Sequence, residues 1–285
     1  MPLLHDLVAS APIDADRMDY MERDSRSIGV SYGLYDKERL LKSFLVYYEK
    51  SKDGVGKTQT AYRLGIKLSG VRAVENFVQA RFELFVQIYY HKTNRAIELM
   101  FREIGEVAAI EQIDIFNINN TKDLVDAYSN LSDVRFLRLL QNKDEIYKID
   151  SFTDKKSIID LAEKLAKREL WKRVFEGDQD NLSYIYNKLC EGTSREILFD
   201  RIDPKATKDL NKGAALLKRG QDGYYSINGN TSEGWTGQSK MIKALEEEEK
   251  TIGRIYYKGS SIDNLKSLRD QARQVSLPEK QTSQS

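Results

Sequence analysis

The sequence predicts a mainly α fold that carries a β-hairpin insert and is followed by a smaller C-terminal α+β lobe. Residues 1 to about 110 are mostly helical in pattern, interrupted near 45–68 by extended segments around a turn. From Trp171 onward, short stretches rich in β-branched and aromatic residues alternate with helical ones. These observations predict a helical domain over 1–170, an α+β lobe over 171–274 and a disordered tail over 275–285.

Composition excludes several classes of protein. The 285 residues include 45 Lys+Arg and 44 Asp+Glu, and this net charge of +1 argues against a general binder of nucleic acid or membrane surfaces. The single cysteine, Cys190, excludes an intramolecular disulfide and fits a reducing cytoplasm. Apolar runs are far shorter than the roughly 20 residues of a membrane helix. We therefore expect a soluble cytoplasmic protein, with neither a membrane nor a nucleic acid as partner.

The first predicted helix contains a patterned acidic face. Asp14 is a suitable N-cap for the segment IDADRMDYMERDS, whose first turn is rich in acids. Asp16, Tyr20 and Asp24 follow at i, i+4 and i+8, which places them on one face of a helix. From the spacing alone, a solvated acidic face is favoured over a binding site. A second helix is predicted in DKERLLKSF.

The segment KDGVGKT at 52–58 resembles a phosphate-binding loop but departs from it in two places. The loop requires glycine where this chain has Ser51, and the carboxylate of Asp53 would repel phosphate. Asp53-Gly54 instead favours a type I′ turn between two extended segments. We predict that Lys52 to Lys57 is an exposed hairpin turn without a phosphate role.

A long helix is predicted from Val71 to about Val107. Arg81 falls in the middle of its apolar stripe, and Lys92 falls on the same stripe three turns later. The stripe consists of Val74, Val78, Phe85 and Ile88. Because a buried arginine requires an anion, either a phosphate ligand or a carboxylate such as Asp16 or Asp24 would satisfy Arg81.

The remaining pattern alternates between helix and strand. Helices are predicted near 121–129, 131–141, 154–169, 179–190, 238–250 and 261–273. Strands are predicted in WKRVF, EILFDRI, GYYSI and IGRIYYK.

Histidine is scarce, which limits the metal chemistry of the chain. The only two histidines are His5 and His91. A centre that needs two or three imidazoles would have to use both of them. The doublet His5-Asp6 in LLHDL is interpreted as a helix end rather than as a metal-binding doublet.

Two blocks of the sequence carry a close family resemblance. They are IDADRMDYMERDSRSIGVSYGLYDKERLLKSFLV and YRLGIKLSGVRAVENFVQARFELFVQIYYHKTNRAIE. Both resemble the second half of the HD-domain deoxynucleoside triphosphate triphosphohydrolases, a family that includes the animal SAM-and-HD-domain enzyme and many bacterial relatives. The similarity continues through DLAEKLAKRELWKRVFEG and EILFDRIDPKA to IGRIYYKGSSIDNLKSLRDQA, and so covers nearly all of 5–273. It implies that the helical part is of the HD type.

The resemblance implies a role for each matching position. The final metal-ligand aspartate would be Asp16, and the regulatory nucleotide would contact His91, Lys92 and Lys67. The substrate-binding residues would be Arg17 and Arg81 on the phosphates, Tyr20, Asp24 and Tyr89 around the sugar, and the neighbouring Tyr90. Two positions depart from the animal enzyme, because Phe85 stands where it has histidine and Tyr90 where it has glutamine.

The resemblance also implies what the chain lacks. Of the four protein metal ligands of the family, only Asp16 is matched, since the family's H…HD residues lie upstream of the first residue. We expect a divalent metal (Mg, Mn, Fe or Zn) in the complete enzyme and none in the isolated chain, which would be a truncation, a misassigned start or half of a split enzyme. The expected partners are deoxynucleoside triphosphates and either a second copy or a complementing HD-containing half. A non-catalytic nucleotide-binding or regulatory subunit is the alternative.

Overall fold

A computed structural model describes most of the chain. The described residues are 2–10, 13–52, 58–110, 119–141, 155–193, 196–202, 210, 215–221, 223–227, 234–249 and 253–275. The predicted turn at 53–57 and the tail at 276–285 lie outside them.

Helices make up the larger part of the described structure. In chain order they are α1 (Pro2–His5), α2 (Ala15–Ile28), α3 (Lys37–Lys42), α4 (Val71–Leu84), α5 (Lys92–Ile110), α6 (Thr121–Asn130), α7 (Asp133–Gln141), α8 (Lys155–Ala166), α9 (Gln179–Thr193), α10 (Trp235–Gln238), α11 (Lys240–Glu249) and α12 (Ile262–Gln274). Several begin at a side-chain cap that the sequence supplies. Asp14 accepts from the backbone N–H of Arg17 at 2.8 Å, and Asn120 and Ser261 cap α6 and α12 in the same way.

The described strands form two sheets. They are β1 (Phe44–Lys52), β2 (Thr58–Lys67), β3 (Lys172–Gly177), β4 (Ile197–Arg201), β5 (Ala215–Gly220), β6 (Gly223–Ser226) and β7 (Gly253–Tyr257). One sheet has the order β1-β2-β5-β6 and the other the order β3-β7-β4. The antiparallel pairing of β1 with β2, in register from Phe44↔Ile66 to Lys52↔Thr58, confirms the predicted hairpin strands.

The hairpin is extended by a strand that was not predicted. β5, from the segment ALLKRG, pairs in parallel with the end of β2 and places Gly65 opposite Ala215. A Cβ atom at Gly65 would lie 2.5 Å from the Leu217 side chain, so glycine is what allows the two strands to approach here. The hairpin is therefore part of a larger sheet.

The predicted long helix from Val71 to about Val107 is wrong, because it is two helices. α4 ends at Leu84, a π-helical turn occupies Phe85–Tyr89, and α5 begins at Lys92. The turn is closed by the bond from the Tyr90 N–H to the Phe85 carbonyl, which is 2.7 Å long. Because the π turn changes the helical phase, Lys92 is exposed and does not continue the apolar stripe.

The residues divide into two compact units that are discontinuous along the chain. Unit 1 comprises Met1–His91, Gly177–Asp180 and Arg201–Gly253, and unit 2 comprises Lys92–Glu176, Asn181–Asp200 and Arg254–Ser285. The predicted domain division near residue 170 stays a prediction.

Unit 1 is built around α4. The fully buried Val74, Phe77 and Val78 pack with Met21 of α2 and Leu40 of α3 into one apolar core. Buried polar side chains accompany this core. Ser239 donates to Glu75 at 2.5 Å, and the Ser239 hydroxyl oxygen accepts from the Ile242 N–H at 3.1 Å. Both the apolar core and this hydrogen bond thus hold α4, the helix that carries Arg81.

Unit 2 contains two apolar clusters. One joins α5 and α8 through residues such as Met100, Ile104 and Ala162, and the other surrounds Ile255 of β7.

The described structure is mainly α with a β part, which confirms the predicted fold class. Within the described ranges, no helix combines the length and the apolarity needed to cross a bilayer.

Candidate functional site

The first turn of α2 contributes a carboxylate and an arginine. Asp14, the N-cap, is buried, and its carboxylate also forms an ion pair with the guanidinium of Arg17, which lies half-buried. Burial raises the pKa of the Asp14 carboxyl, although its bonds to Arg17 act in the opposite direction. Asp16, predicted as a metal ligand, is exposed beside this pair.

Tyr20 and Asp24, which lie one and two turns after Asp16 on α2, both contact Tyr89, the residue predicted to pack the sugar. The Tyr89 hydroxyl donates to Asp24 Oδ2 at 2.7 Å, and the rings of Tyr20 and Tyr89 are 6.3 Å apart between centroids. Burial, followed by the bond to Asp24, raises the pKa of the Tyr89 hydroxyl well above its ordinary value. The structure thus brings together three of the predicted residues from segments 65 positions apart.

Arg81 lies on α4 at the border of the core. Its residue surface is 5% exposed, and its guanidinium carbon is 5.3 Å from the centroid of the Phe85 ring. Its positive charge opposes the rise in the pKa of the Asp14 carboxyl, so Asp14 lies within electrostatic reach of Arg81. Arg81 is thus a buried cation beside an aromatic ring and near a carboxylate.

Phe85 connects this arginine to two tyrosines. Its ring meets the Tyr89 ring edge-on at 5.2 Å and an interplanar angle of 78°, and it meets the Tyr90 ring at 5.4 Å and 51°. All three aromatic side chains belong to the π-helical turn or to the residue that closes it. Through these contacts, Arg81, Tyr89, Asp24 and Tyr20 form one contiguous cluster.

The residues predicted for a regulatory nucleotide belong to two segments of the chain. His91 and Lys92 are exposed at the start of α5. Lys67, at the end of β2, donates from Nζ to the Lys42 carbonyl at 3.2 Å.

A metal centre does not fit the described residues by themselves. Among them, no group of three or more His, Cys, Asp or Glu side chains is placed to hold an ion. Asp16 contributes a single exposed carboxylate, and Asp6, of the His5-Asp6 doublet, is paired with Arg63 at 3.2 Å.

The sequence predicts Phe85 only as part of the apolar stripe and Asp14 only as a helix cap. The structure places Phe85 in the cluster and Asp14 within electrostatic reach of Arg81. The signal for Phe85 was its position four residues after Arg81 and before Tyr89, a spacing that permits side-chain contact on a helix.

A concave feature that was not predicted lies within unit 2. A cavity of about 690 Å³ is lined by Trp171, Tyr257 and five cationic side chains, Lys164, Arg168, Lys172, Lys258 and Arg269. Lys258 stacks on the Trp171 ring at 5.0 Å and is paired with Glu103. The cations come from two distant segments, so no local pattern revealed the cavity.

Comparison with known proteins supports the coarser part of the resemblance. No model of a known protein family matches the chain. The chain is similar to the uncharacterized protein YwfO of Bacillus subtilis, 27% identical over 274 residues that cover 87% of this chain and 56% of YwfO. It is also 24% identical over 193 residues to L394 of Acanthamoeba polyphaga mimivirus, which is named as HD domain-containing; these residues cover 62% of this chain and 38% of L394. Neither name states a substrate.

A solved structure shares the fold. It is a hypothetical protein from Aquifex aeolicus, with a TM-score of 0.63 and 20% identity, and the match covers 94% of this chain and 58% of that chain. The chain thus spans little more than half of YwfO and less than half of L394.

Proposed function

We propose that this chain is the nucleotide-binding part of an HD-type phosphohydrolase that hydrolyses deoxynucleoside triphosphates and releases triphosphate. The observation that carries the proposal is the contiguous cluster of Arg81, Phe85, Tyr89, Asp24 and Tyr20. Arg81, the cation at one end of the cluster, suits the triphosphate of such a nucleotide. The tyrosine hydroxyls and the Asp24 carboxylate at the other end suit its sugar. The mimivirus relative named for an HD domain supports the same class of enzyme.

In this proposal, the two arginines bind the triphosphate. Arg81 is desolvated and held on α4, so that its attraction to an anion is stronger than that of a solvated side chain. Arg17 is half-buried at the start of α2 and adds a second guanidinium near the same carboxylate, Asp14. Guanidinium groups suit this role because their planar donors match phosphate oxygens in pairs.

The tyrosines and Asp24 bind the deoxyribose. The bond between Tyr89 and Asp24 fixes the hydroxyl of Tyr89, while Tyr20 and Tyr90 supply ring surface beside it. In this proposal, the fixed Tyr89 hydroxyl and the neighbouring tyrosine rings pack against the sugar where a ribose would carry its 2′-hydroxyl. The site would therefore favour a 2′-deoxy sugar.

The remaining assignments follow the resemblance. Asp16 would be the one carboxylate that this chain offers to a divalent metal, and Lys67, His91 and Lys92 would contact an effector nucleotide in an oligomer.

Nucleotide binding by Arg81 variants tests the proposal. Titration calorimetry of the chain with dGTP and dATP should give binding that Arg81→Met weakens at least about tenfold, the loss expected for removing a buried charge-assisted contact. Arg72→Met is the matched control, because Arg72 lies on the same helix with a side chain 75% exposed. It should leave the affinity unchanged.

The outcomes separate the alternatives. Absence of any Arg81-dependent binding overturns the proposal. If the protein does bind, incubation with dGTP and Mn²⁺ followed by chromatography of the products distinguishes an enzyme from a non-catalytic subunit. Free deoxynucleoside and triphosphate indicate hydrolysis. Binding by the longest natural form of the protein without these products favours the non-catalytic alternative.

A further inference from the structure

Phe85 occupies the centre of the candidate site without carrying a polar group. Its ring lies 5.3 Å from the guanidinium carbon of Arg81 and makes contacts at 5.2 Å and 5.4 Å with the rings of Tyr89 and Tyr90. One side chain therefore contacts a member of the phosphate-binding end and two rings at the sugar-binding end.

The π-helical turn explains how one ring reaches both tyrosines. In a regular α-helix, residues five apart point in directions about 140° from each other, since successive residues are about 100° apart. The i→i+5 bond between Phe85 and Tyr90 widens the turn and returns Tyr90 towards the Phe85 side. The turn thus gathers residues that an uninterrupted helix would have separated.

The contacts have a physical consequence for Arg81. A guanidinium over an aromatic face is attracted by the ring quadrupole, and this attraction grows when the pair is desolvated. A long arginine side chain otherwise loses much rotamer freedom when it binds an anion. A ring that already restrains the guanidinium reduces that loss.

We propose that Phe85 is a positioning residue that orients Arg81 towards the phosphates and Tyr89 towards the sugar of the same nucleotide. This inference rests on the proposed function. Its structural part, the restraint of Arg81 by the ring, is measurable without any nucleotide.

The first experiment measures Arg81 in the free protein. The Nε–Hε resonance of Arg81, assigned by its disappearance in Arg81→Lys, should carry a ring-current shift from Phe85. Phe85→Leu should move this resonance, whereas Phe85→Tyr, which retains a ring, should largely preserve it. Phe101→Leu is the control, because Phe101 is a half-buried phenylalanine of unit 2 that pairs with Phe136. A resonance that moves no more in Phe85→Leu than in this control overturns the proposal.

The second experiment measures affinity for dGTP by calorimetry. Phe85→Leu should weaken binding roughly 5- to 30-fold, which corresponds to the range for a partly to fully desolvated cation–π pair. Phe85→Tyr should restore binding to within about twofold of wild type, since its ring has a similar quadrupole. If Phe85→Leu lowers the melting temperature, Phe85→Met replaces it as a flexible side chain of similar size.

The two experiments separate this inference from the function on which it rests. A wild type that binds no deoxynucleotide overturns the proposed function, while the resonance shift still decides whether Phe85 restrains Arg81. Equal affinity of wild type, Phe85→Leu and Phe85→Met, in a wild type that does bind, overturns the positioning role alone.

Discussion

Each compact unit buries one arginine of the same stretch of chain, and the two arginines have different surroundings. Arg95 of unit 2 donates from Nε and Nη2 to Asp200 at 3.0 Å and 2.5 Å, and from Nη1 to Glu98 at 2.6 Å. Arg81 of unit 1 lies over the Phe85 ring and within electrostatic reach of Asp14, a carboxylate already bonded to Arg17. Arg81 is 5% exposed and Arg95 is 6% exposed.

The difference shows that similar burial of two arginines does not imply similar contacts. A two-pronged bond to a buried aspartate such as Asp200 uses the donors of Arg95 for the structure of unit 2. The surroundings of Arg81 include an aromatic ring, and in the proposed function its guanidinium binds the phosphates of a nucleotide.

The largest expected effect is on the Arg95 side of this comparison. Asp200→Asn should lower the free energy of unfolding by about 3–5 kcal/mol, because it leaves the Arg95 charge buried without its ionic partner. Urea unfolding followed by circular dichroism measures the change.

Glu98→Gln is the matched control for Asp200. Its side chain is 55% exposed, so the loss should be at most about 1 kcal/mol. Equal losses from the two variants would mean that the buried bond to Asp200 has no special role in unit 2.

An intermediate effect is expected next to Arg81, at the Tyr89 hydroxyl. Burial and the bond to Asp24 raise the pKa of Tyr89, so in the folded protein Tyr89 keeps its proton above the ordinary tyrosine pKa of about 10. Its contribution to the free energy of unfolding is fully present below that ordinary pKa and is lost as the pH rises from there through the raised pKa. Asp24→Asn removes the adjacent charge and should lower the Tyr89 pKa. Absorbance titration at alkaline pH, with Tyr89→Phe subtracted to isolate one tyrosine, reports the shift.

Asp19→Asn tests whether that shift is specific. Asp19 lies on the same helix but is exposed and pairs with Arg23 at 3.2 Å. An equal lowering of the Tyr89 pKa by both variants would contradict a direct role for the bond to Asp24.

The smallest effect is expected at Lys57, in the predicted turn outside the described residues. Lys57→Ala should change the free energy of unfolding by a few tenths of a kcal/mol, as at an exposed site, and leave ATP binding unaltered. Calorimetry with ATP provides the check. Binding that depends on Lys57 would place phosphate recognition on the hairpin instead of at Arg81.

Much of the candidate site was predictable because its parts are local. Asp14 as a cap, the spacing of Tyr20 and Asp24 on α2, and Arg81 within an apolar stripe all follow from helix geometry. The contacts between these parts were inferred from the family resemblance alone. The bond from Tyr89 to Asp24 joins residues 65 positions apart, and no pattern within one helix contains it.

The sequence by itself determined the mainly α class, the caps and the hairpin strands, because each depends on neighbouring residues and on the period of the apolar positions. Only the tertiary structure decided that β5 pairs with β2 at Gly65 and that Arg95 forms an ion pair with Asp200. The same holds for the π-helical turn that follows α4. A strand partner or an ion-pair partner is selected by packing between distant segments. The π turn departs from the α-helical period on which the prediction relied, and aromatic contacts around Phe85 accompany it.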